Sequence, residues 1–510
     1  WITICWFRNI PNSISLSRSW INQVEKWEKA NGSVWTIGHI KMMRQLLFSH
    51  LSGNPQKEVK QIIGINRNTG LPKALNDFHH LILTRDTNSL RFVLSLLSIS
   101  RALPGLKLPD LSTISSPSSA DQDFILDLGE EMKWFLDSLN WDYEIPNFFD
   151  RGTLRFSPKA GPNGSASRTS LFDLVSMPES LLQTLQRTNI RNIIEEYGGL
   201  LAPKRVKFFH TVQHLWPKYE KLTKDRKTSP SWFDQFRGKE VKGFVRKLSI
   251  VNDPEAKARI IAIFDYWSQS WLRQFHEIHF NFLKRIPEDR TFTQDPIIPL
   301  PPLGHKYYSF DLSAATDRFP MSLQLLMMKS MFGSDISHQW KSVLVDHPFF
   351  VPWESKENDT FVSYSAGQPM GAYSSWSTFT ITHHFILRVI HKNLGLTEMF
   401  YQILGDDIVI WHDDVAKLYQ EFMHKLGVGI SIPKSNISSN MYEFAKRIFL
   451  NGREITGIQL GGFINVYSKY HLVYQNVFTL VYERGYYPLD LISITDMLYQ
   501  LYFSFGKNKK

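Results

Sequence analysis

Helical spacing through the first hundred residues, followed by two strand–turn–strand patterns, predicts a globular chain of mixed α and β structure. Three observations carry this. Apolar residues recur at helical intervals in Val34–Leu51 and Leu90–Leu103. Val245–Val251 and Lys257–Ile263 alternate like strands on either side of an Asn252-Asp253-Pro254 turn. Further on, two apolar arms, Tyr401–Leu404 and Ile408–Trp411, flank Gly405-Asp406-Asp407. At 510 residues, with 43% hydrophobic and 21% charged content, the chain can build about two to four packed units.

In chain order, residues 1 to about 107 read as mostly helical. The Ser/Pro-rich stretch from Leu108 to Asp121 reads as an exposed loop, and Phe124–Leu139 as a further helix. Two Pro and two Gly in Ser157–Gly164 force another loop. Its Lys159 and open amides suit a phosphate or an ordinary connection equally well. On the second strand of the first pair, Lys257 and Arg259 point the same way. That pattern fits a triphosphate or a solvated edge strand.

Tyr307–Arg318 reads either as one straight strand or as a strand that turns into a helix, a turn that Ser313 and the Ala314-Ala315 pair permit. On one straight strand Asp311 and Asp317 would lie about 20 Å apart, so they share a site only if the strand ends just after Asp311. The other role for Asp317 is an acid at a helix N-terminus. Met321–Phe332 is helical. Tyr364–Ser375, with Gly367 and Gly371, forms a flexible loop that enters a long helix ending near Lys392. His383 and His384 in that helix lack the spacing that grips a metal, and core or polar-network roles suit them. Asp413-Asp414 opens a helix, Val415–Leu426, that Gly427 ends.

Gly405 supplies the backbone angles that a tight turn requires. The turn presents two adjacent carboxylates, costly beside a core unless a cation compensates them. A pair of Mg²⁺ ions is one compensation; a solvated hairpin tip is the other reading of these three letters.

Composition excludes several classes. The single cysteine, Cys5, rules out a disulfide framework and a multi-cysteine zinc site, and fits a reducing compartment. No apolar run is long enough to span a bilayer. His276-Glu277-Ile278-His279 is one residue short of the zinc-protease pattern, and no Walker-type phosphate loop occurs. The net charge is +10 and unevenly spread: Lys204–Arg259 holds 15 Lys/Arg against 6 Asp/Glu. The aromatics interleaved there, among them Phe208, Trp216 and Trp232, favour nucleic acid over a merely solvated helical face.

Taken in order, the basic strand, Asp-x5-Asp, Gly loop with helix, Gly-Asp-Asp hairpin and Lys-Ser step resemble viral RNA-dependent RNA polymerases. The wording is most similar to mitoviruses: Asp311-Leu-Ser-Ala-Ala-Thr-Asp317-Arg318, Gly367-Gln-Pro-Met-Gly371-Ala-Tyr-Ser-Ser375-Trp376, and Leu404-Gly-Asp-Asp-Ile-Val-Ile410. Lys159-Ala-Gly-Pro-Asn-Gly164, Pro433-Lys434-Ser435 and Glu443-Phe-Ala-Lys-Arg447 agree with it. The resemblance spans about residues 158–453.

It implies an α+β right hand of fingers, palm and thumb with an antiparallel palm sheet. Residues 1–300 would be fingers with an N-terminal helical region. Residues 301–465 would be palm, with part of 321–365 given to the fingers, and 466–510 a short or truncated thumb. Only 57 residues follow Arg453 and the chain begins at Trp1, which suggests a fragment of a longer reading frame. The 15 Trp, roughly double average usage, fit a code in which UGA specifies Trp.

The same resemblance implies Asp311 and Asp406 as metal-binding carboxylates with Asp407 beside them, holding two Mg²⁺ (or Mn²⁺). It implies Lys434 as the general acid toward pyrophosphate, with Lys425 a weaker choice. Arg246, Lys247, Lys257 and Arg259 would hold the incoming triphosphate, and Asp317, Gly371 and Ser375 would face its ribose. Many such polymerases carry an amide where this chain has Phe379, so the ribose-reading set departs from the pattern here. Partners would be an RNA template with primer or nascent RNA, and NTPs; the location would be the host mitochondrion, with the cytoplasm as alternative. The competing readings are a non-catalytic RNA-binding ribonucleoprotein component or decayed polymerase, and a reverse transcriptase or maturase. Leu404 stands where the last of these usually carries an aromatic.

Overall fold

A computed structural model describes residues 2–56, 63–142, 155–188, 244–355, 359–431, 435–466 and 468–486, with positions 495 and 499. The basic–aromatic stretch from Lys204 to Phe236 and the expected general acid Lys434 lie outside the described residues.

The N-terminal region is helical as its periodicity requires, with α1 (Ser13–Asn31), α2 (Ser33–Leu51) and α3 (Thr87–Leu97). On α2 the apolar face Ile37, Ile40, Met43, Leu47 and Leu51 is buried. Asp86 caps α3, its carboxylate accepting the Ser89 N–H at 2.9 Å. These helices share one core with Met441, Ile448, Leu450, Ile458 and Leu480. Polar contacts fix the match: the Trp6 indole donates to the Tyr486 carbonyl at 2.9 Å, and the Arg91 guanidinium to the Glu454 carbonyl at 3.0 Å.

The loop around Lys159 is closed by a minimal hairpin, β1 (Ala160–Gly161) with β2 (Gly164–Ser165). β3 (Arg246–Asp253) and β4 (Lys257–Phe264) then pair antiparallel along their whole length, Arg246 opposite Phe264 and Asp253 opposite Lys257. The turn is Pro254–Ala256, two residues later than expected, because Glu255 and Ala256 accept positive φ of 65° and 54°. Glu255 is held there by Arg44 at 3.1 Å and by the Ser100 hydroxyl at 2.7 Å, docking the hairpin tip on the N-terminal helices. β6 (Phe349–Phe350) joins β3 in parallel, and β7 (Phe361–Val362) completes the order β4-β3-β6-β7.

The second four-stranded sheet is wholly antiparallel, in the order β10-β5-β9-β8, where β5 is Tyr307–Asp311, β8 Tyr401–Leu404, β9 Asp407–Ile410 and β10 Asn436–Ser438. Both of its faces are covered. Ile408 and Ile410 enter the main core, while Val409 and Trp411 pack with Tyr442 and Phe449. Those last two come from a meander of β11 (Met441–Phe444), β12 (Arg447–Leu450) and β13 (Arg453–Glu454). This double burial explains why the hairpin arms read as continuous apolar runs. The fold is α+β with an antiparallel central sheet, as expected.

Helices α4 (Tyr266–Leu283), α5 (Met321–Phe332), α6 (Ser334–Val345), α7 (Ser375–Asn393) and α8 (Asp413–Lys425) build the main core around it. From Ser375 to His391 nearly every side chain of α7 is buried, so this helix is the pillar behind the sheet. Its Thr residues bond back along the helix, Thr380 to the Trp376 carbonyl and Thr382 to the Thr378 carbonyl, each at 2.8 Å. Among the described residues no helix is long and apolar enough to cross a membrane.

Candidate active site

Strand pairing assembles the acidic site. Leu404 pairs with Asp407, leaving Gly405-Asp406 as a two-residue turn, with Gly405 at φ 63°. Across the next ladder Asp407 is the direct partner of Asp311, the last residue of β5. Directly opposed residues stand about 4.5–5.5 Å apart at Cα, so three carboxylates gather at one sheet end. The strand ends just after Asp311, which is the alternative that lets Asp311 and Asp317 converge. Leu312 bridges to Ile430, Ser431 N–H donates to the Asp311 carbonyl at 2.8 Å, and Ala314 turns the chain at φ 48° into the short helix Ala315–Arg318.

Electrostatics mark the cluster as short of positive charge. The Asp407 carboxyl is pushed up to about 7, first by burial and then by Asp406, Glu443 and Asp311; Lys446 pulls the other way. Glu443 is also raised by burial, with Asp311 adding to the shift against Arg44 and Arg101. An all-carboxylate donor set with a surplus of negative charge suits Mg²⁺ or Mn²⁺, which take oxygen ligands. Among the described residues no three acidic, His or Cys side chains converge enough to enclose an ion by themselves. Sites that Mg²⁺ shares with substrate phosphates have this character.

A second group forms around the Gly loop. Gly367 N–H donates to the Asp317 carbonyl at 2.9 Å and Gln368 N–H to the Thr316 carbonyl at 3.0 Å. The Asp317 carboxyl accepts the Thr113 hydroxyl at 3.0 Å and is raised to about 6 by burial. On the other side Ala262 N–H of β4 donates to the Met370 carbonyl at 2.7 Å, and Gln269 to the Gly371 carbonyl at 2.9 Å. The loop therefore bridges strand β4 and the Asp317 turn. Ser375 opens α7 with its hydroxyl oxygen buried and without a hydrogen-bond partner. Phe379, one turn on, is core, edge-on to Phe319 at 4.8 Å.

The basic residues divide. Lys257 is exposed at the start of β4, Arg259 is ion-paired with Asp253, and Lys247 is half-buried on β3. Arg246 does not belong with them. Its guanidinium is buried, ion-paired with Asp265 and bonded to the Ser268 hydroxyl at 3.1 Å and the Val343 carbonyl at 3.0 Å. Strand alternation sends it to the core face, where a charge persists only with such partners. Lys425 stands over the Phe124 ring at 4.7 Å. Asp413 lies in the first turn of α8 and accepts the Lys306 N–H at 2.9 Å, away from the acid cluster.

Several participants carried no sequence signal of their own. Glu443 and Lys446 were visible only as letters of a motif. Thr113 lies in a one-turn helix, Ser112–Ser115, 204 residues upstream of Asp317, where a Ser/Pro-rich loop was expected. His383 bonds the Gly405 carbonyl at 3.0 Å and the Tyr419 hydroxyl at 2.8 Å. A cleft of about 1030 Å³ runs beside the Gly loop, between Lys159, β4, α4 and Tyr373. Arg155, Lys159 and Arg273 line it together with Phe156 and Phe280, a basic and aromatic mixture suited to single-stranded nucleic acid.

An antiparallel sheet that gathers acids at one strand end, flanked by a Gly loop and its buried helix, defines a polymerase palm. The chain belongs to the mitovirus RNA-dependent RNA polymerase family, whose family model matches residues 148–510. It is 34% identical over 387 residues to the RNA-directed RNA polymerase of Cryphonectria parasitica mitovirus 1, covering 74% of this chain and 44% of that protein. It thus spans less than half the length of that relative. An uncharacterized mitochondrial protein of Arabidopsis thaliana is 35% identical over 164 residues, 30% of this chain and 78% of that one. Another from the same plant is 38% identical over 179 residues, 33% and 70%. Among solved structures, the RNA-dependent RNA polymerase of a human picobirnavirus overlaps with a TM-score of 0.32 at 14% identity, covering 42% of this chain and 46% of that chain. The BmCPV RNA-dependent RNA polymerase at elongation state overlaps at 0.46 and 10%, covering 83% and 41%. Overlaps this loose carry no weight beside the family match.

Proposed function

We propose that this chain carries the catalytic palm of an enzyme that copies RNA from an RNA template by adding ribonucleotides to a 3′-hydroxyl. One observation carries the reading: Asp311 and Asp407 are cross-strand partners, with Asp406 in the adjoining turn. Asp311 and Asp406 would hold two Mg²⁺ or Mn²⁺ ions, with Asp407 in support. When bound, these ions lower the barrier by activating the attacking hydroxyl and neutralising the departing pyrophosphate. Lys257, Arg259 and Lys247 orient the triphosphate, Arg259 by exchanging or sharing its Asp253 partner. Lys434 is the proton donor to pyrophosphate.

Asp317 and the Ser375 hydroxyl suit a ribose 2′-OH, which both donates and accepts. The cleft beside Lys159 suits the template strand. Residues 301–465 act as palm, with part of 321–365 given to the fingers, and residues 466–510 belong to the thumb; part of that segment shares a core with the N-terminal helices. The setting is replication of a positive-strand RNA genome in the host mitochondrion, for which the relatives' names supply a mitovirus and a mitochondrial protein and no more.

The test is extension of a primed RNA template with four ribonucleotides and Mg²⁺. Extension is expected, and Asp406→Asn should abolish it while RNA binding survives. RNA binding without synthesis by the unaltered chain would favour the binding-protein reading. Efficient use of deoxyribonucleotides would favour a reverse transcriptase.

A further inference from the structure

Two side chains of α7 clamp the Gly405-Asp406 turn from below. Trp376 and His383 are seven residues apart, two helical turns, and so lie on one face. A β-carbon built on Gly405 would stand 2.6 Å from the Trp376 Nε1, so the indole lies directly against the turn. His383 is fully buried, its Nδ1 3.0 Å from the Gly405 carbonyl and its Nε2 2.8 Å from the Tyr419 hydroxyl of α8. A carbonyl only accepts, so Nδ1 carries the proton and Nε2 accepts from Tyr419. The ring is therefore held at both ends, in one tautomer, among Phe319 and Phe379. A leucine or phenylalanine would fill that apolar space, so packing alone does not call for an imidazole there.

The Gly405 carbonyl belongs to the peptide unit that includes the Asp406 nitrogen. Fixing that carbonyl fixes the plane from which the Asp406 side chain departs. We infer that His383 is a positioning residue for Asp406, with Tyr419 selecting its Nδ1–H tautomer and Trp376 setting the depth of the turn. The helix that begins at Ser375 thereby holds both the nucleotide-facing loop and the carboxylate turn. This inference rests on the reading of Asp406 as a metal carboxylate.

The experiment compares wild type with His383→Leu, His383→Asn and Tyr419→Phe. Folding is checked by circular dichroism, and two quantities are read. One is kcat and KM for nucleotide in primer extension. The other is Mn²⁺ binding, from loss of the free-ion EPR signal with primed RNA and a non-hydrolysable nucleotide present. For His383→Leu we expect kcat and Mn²⁺ affinity each to fall about tenfold, with KM changed less than about twofold. The asparagine amide can donate from nearly the Nδ1 position, so His383→Asn should recover most of both losses. Tyr419→Phe should fall between. A folded His383→Leu that turns over and binds Mn²⁺ like wild type overturns the inference, as does an asparagine variant no better than the leucine. If His383→Leu does not fold, unchanged kcat and Mn²⁺ binding in Tyr419→Phe overturns it. A wild-type chain that neither extends primer nor binds Mn²⁺ would instead sink the polymerase reading itself.

Discussion

Gly367 and Asp317 meet backbone to backbone: the Gly367 N–H donates to the Asp317 carbonyl at 2.9 Å, and a β-carbon on Gly367 would stand 2.6 Å from that carbonyl group. Any side chain there must push the Gly loop off the Asp317 turn. Gly367→Ala should cost about 1–3 kcal/mol of stability by overpacking. It should also narrow the preference for ATP over dATP, because Asp317 loses its seat beside Thr113. Single-nucleotide incorporation with both substrates checks the second effect, and urea unfolding the first.

The pairing of Asp311 with Asp407 divides the labour among the acids. Asp311→Asn and Asp406→Asn should each lower kcat by about 10³-fold or more, and Asp407→Asn by roughly 10–100-fold, with RNA affinity retained in all three. Equal losses at Asp406 and Asp407 in steady-state extension would contradict that division.

Asp407 also links metal, pH and stability. Its carboxyl titrates near 7 in the fold against an ordinary 3.8, so the folded state binds that proton more tightly. Stability of the metal-free chain accordingly falls as pH rises through this window and stays lowered above it. Asp407→Asn should raise the metal-free Tm at pH 8 by roughly 2 °C or more, with the gain vanishing toward pH 4. Mg²⁺ should stabilise wild type at pH 8 more than it stabilises the variant. Thermal melts across pH, with and without Mg²⁺, measure both.

Arg246 offers a contrast with Lys257. Arg246→Ala leaves Asp265 buried and unpaired, which should cost about 3–5 kcal/mol while leaving KM for nucleotide unchanged in the folded fraction. Lys257→Ala should do the reverse, raising KM with little loss of stability. A KM effect at Arg246 without destabilisation would restore it to the nucleotide-binding set.

Local chemistry explains what was legible in the sequence. The Gly405–Asp407 hairpin and the long helix after Gly371 follow from turn residues and periodicity within short windows, whereas the end of β5 at Asp311 was one of two readings and is set by Ile430 and Ser431, far along the chain. Arg246 was misplaced because alternation says only that it and Lys247 face opposite ways; which face is core depends on Asp265 and Val343, 19 and 97 residues on. The β3–β4 turn came two residues late because Asn252-Asp253-Pro254 carries the usual turn letters. The positive φ falls instead on Glu255 and Ala256, held by Arg44 and Ser100 far upstream. His383 was read as a core or polar-network residue, and its partner Gly405 becomes visible only once α7 packs behind the sheet.

The core shared by the N-terminal helices and residues 441–486 has a temporal consequence. Trp6 finds its hydrogen-bond partner in a residue 480 positions later. At ~5–20 residues per second a ribosome needs roughly 25–95 s to reach that partner after incorporating Trp6. Throughout that interval the N-terminal helices can pack on one another, but the part of their core that residues 441–486 cover has no native partner. The longer docking of the 441–486 segment takes, the longer that apolar surface stays open to wrong partners.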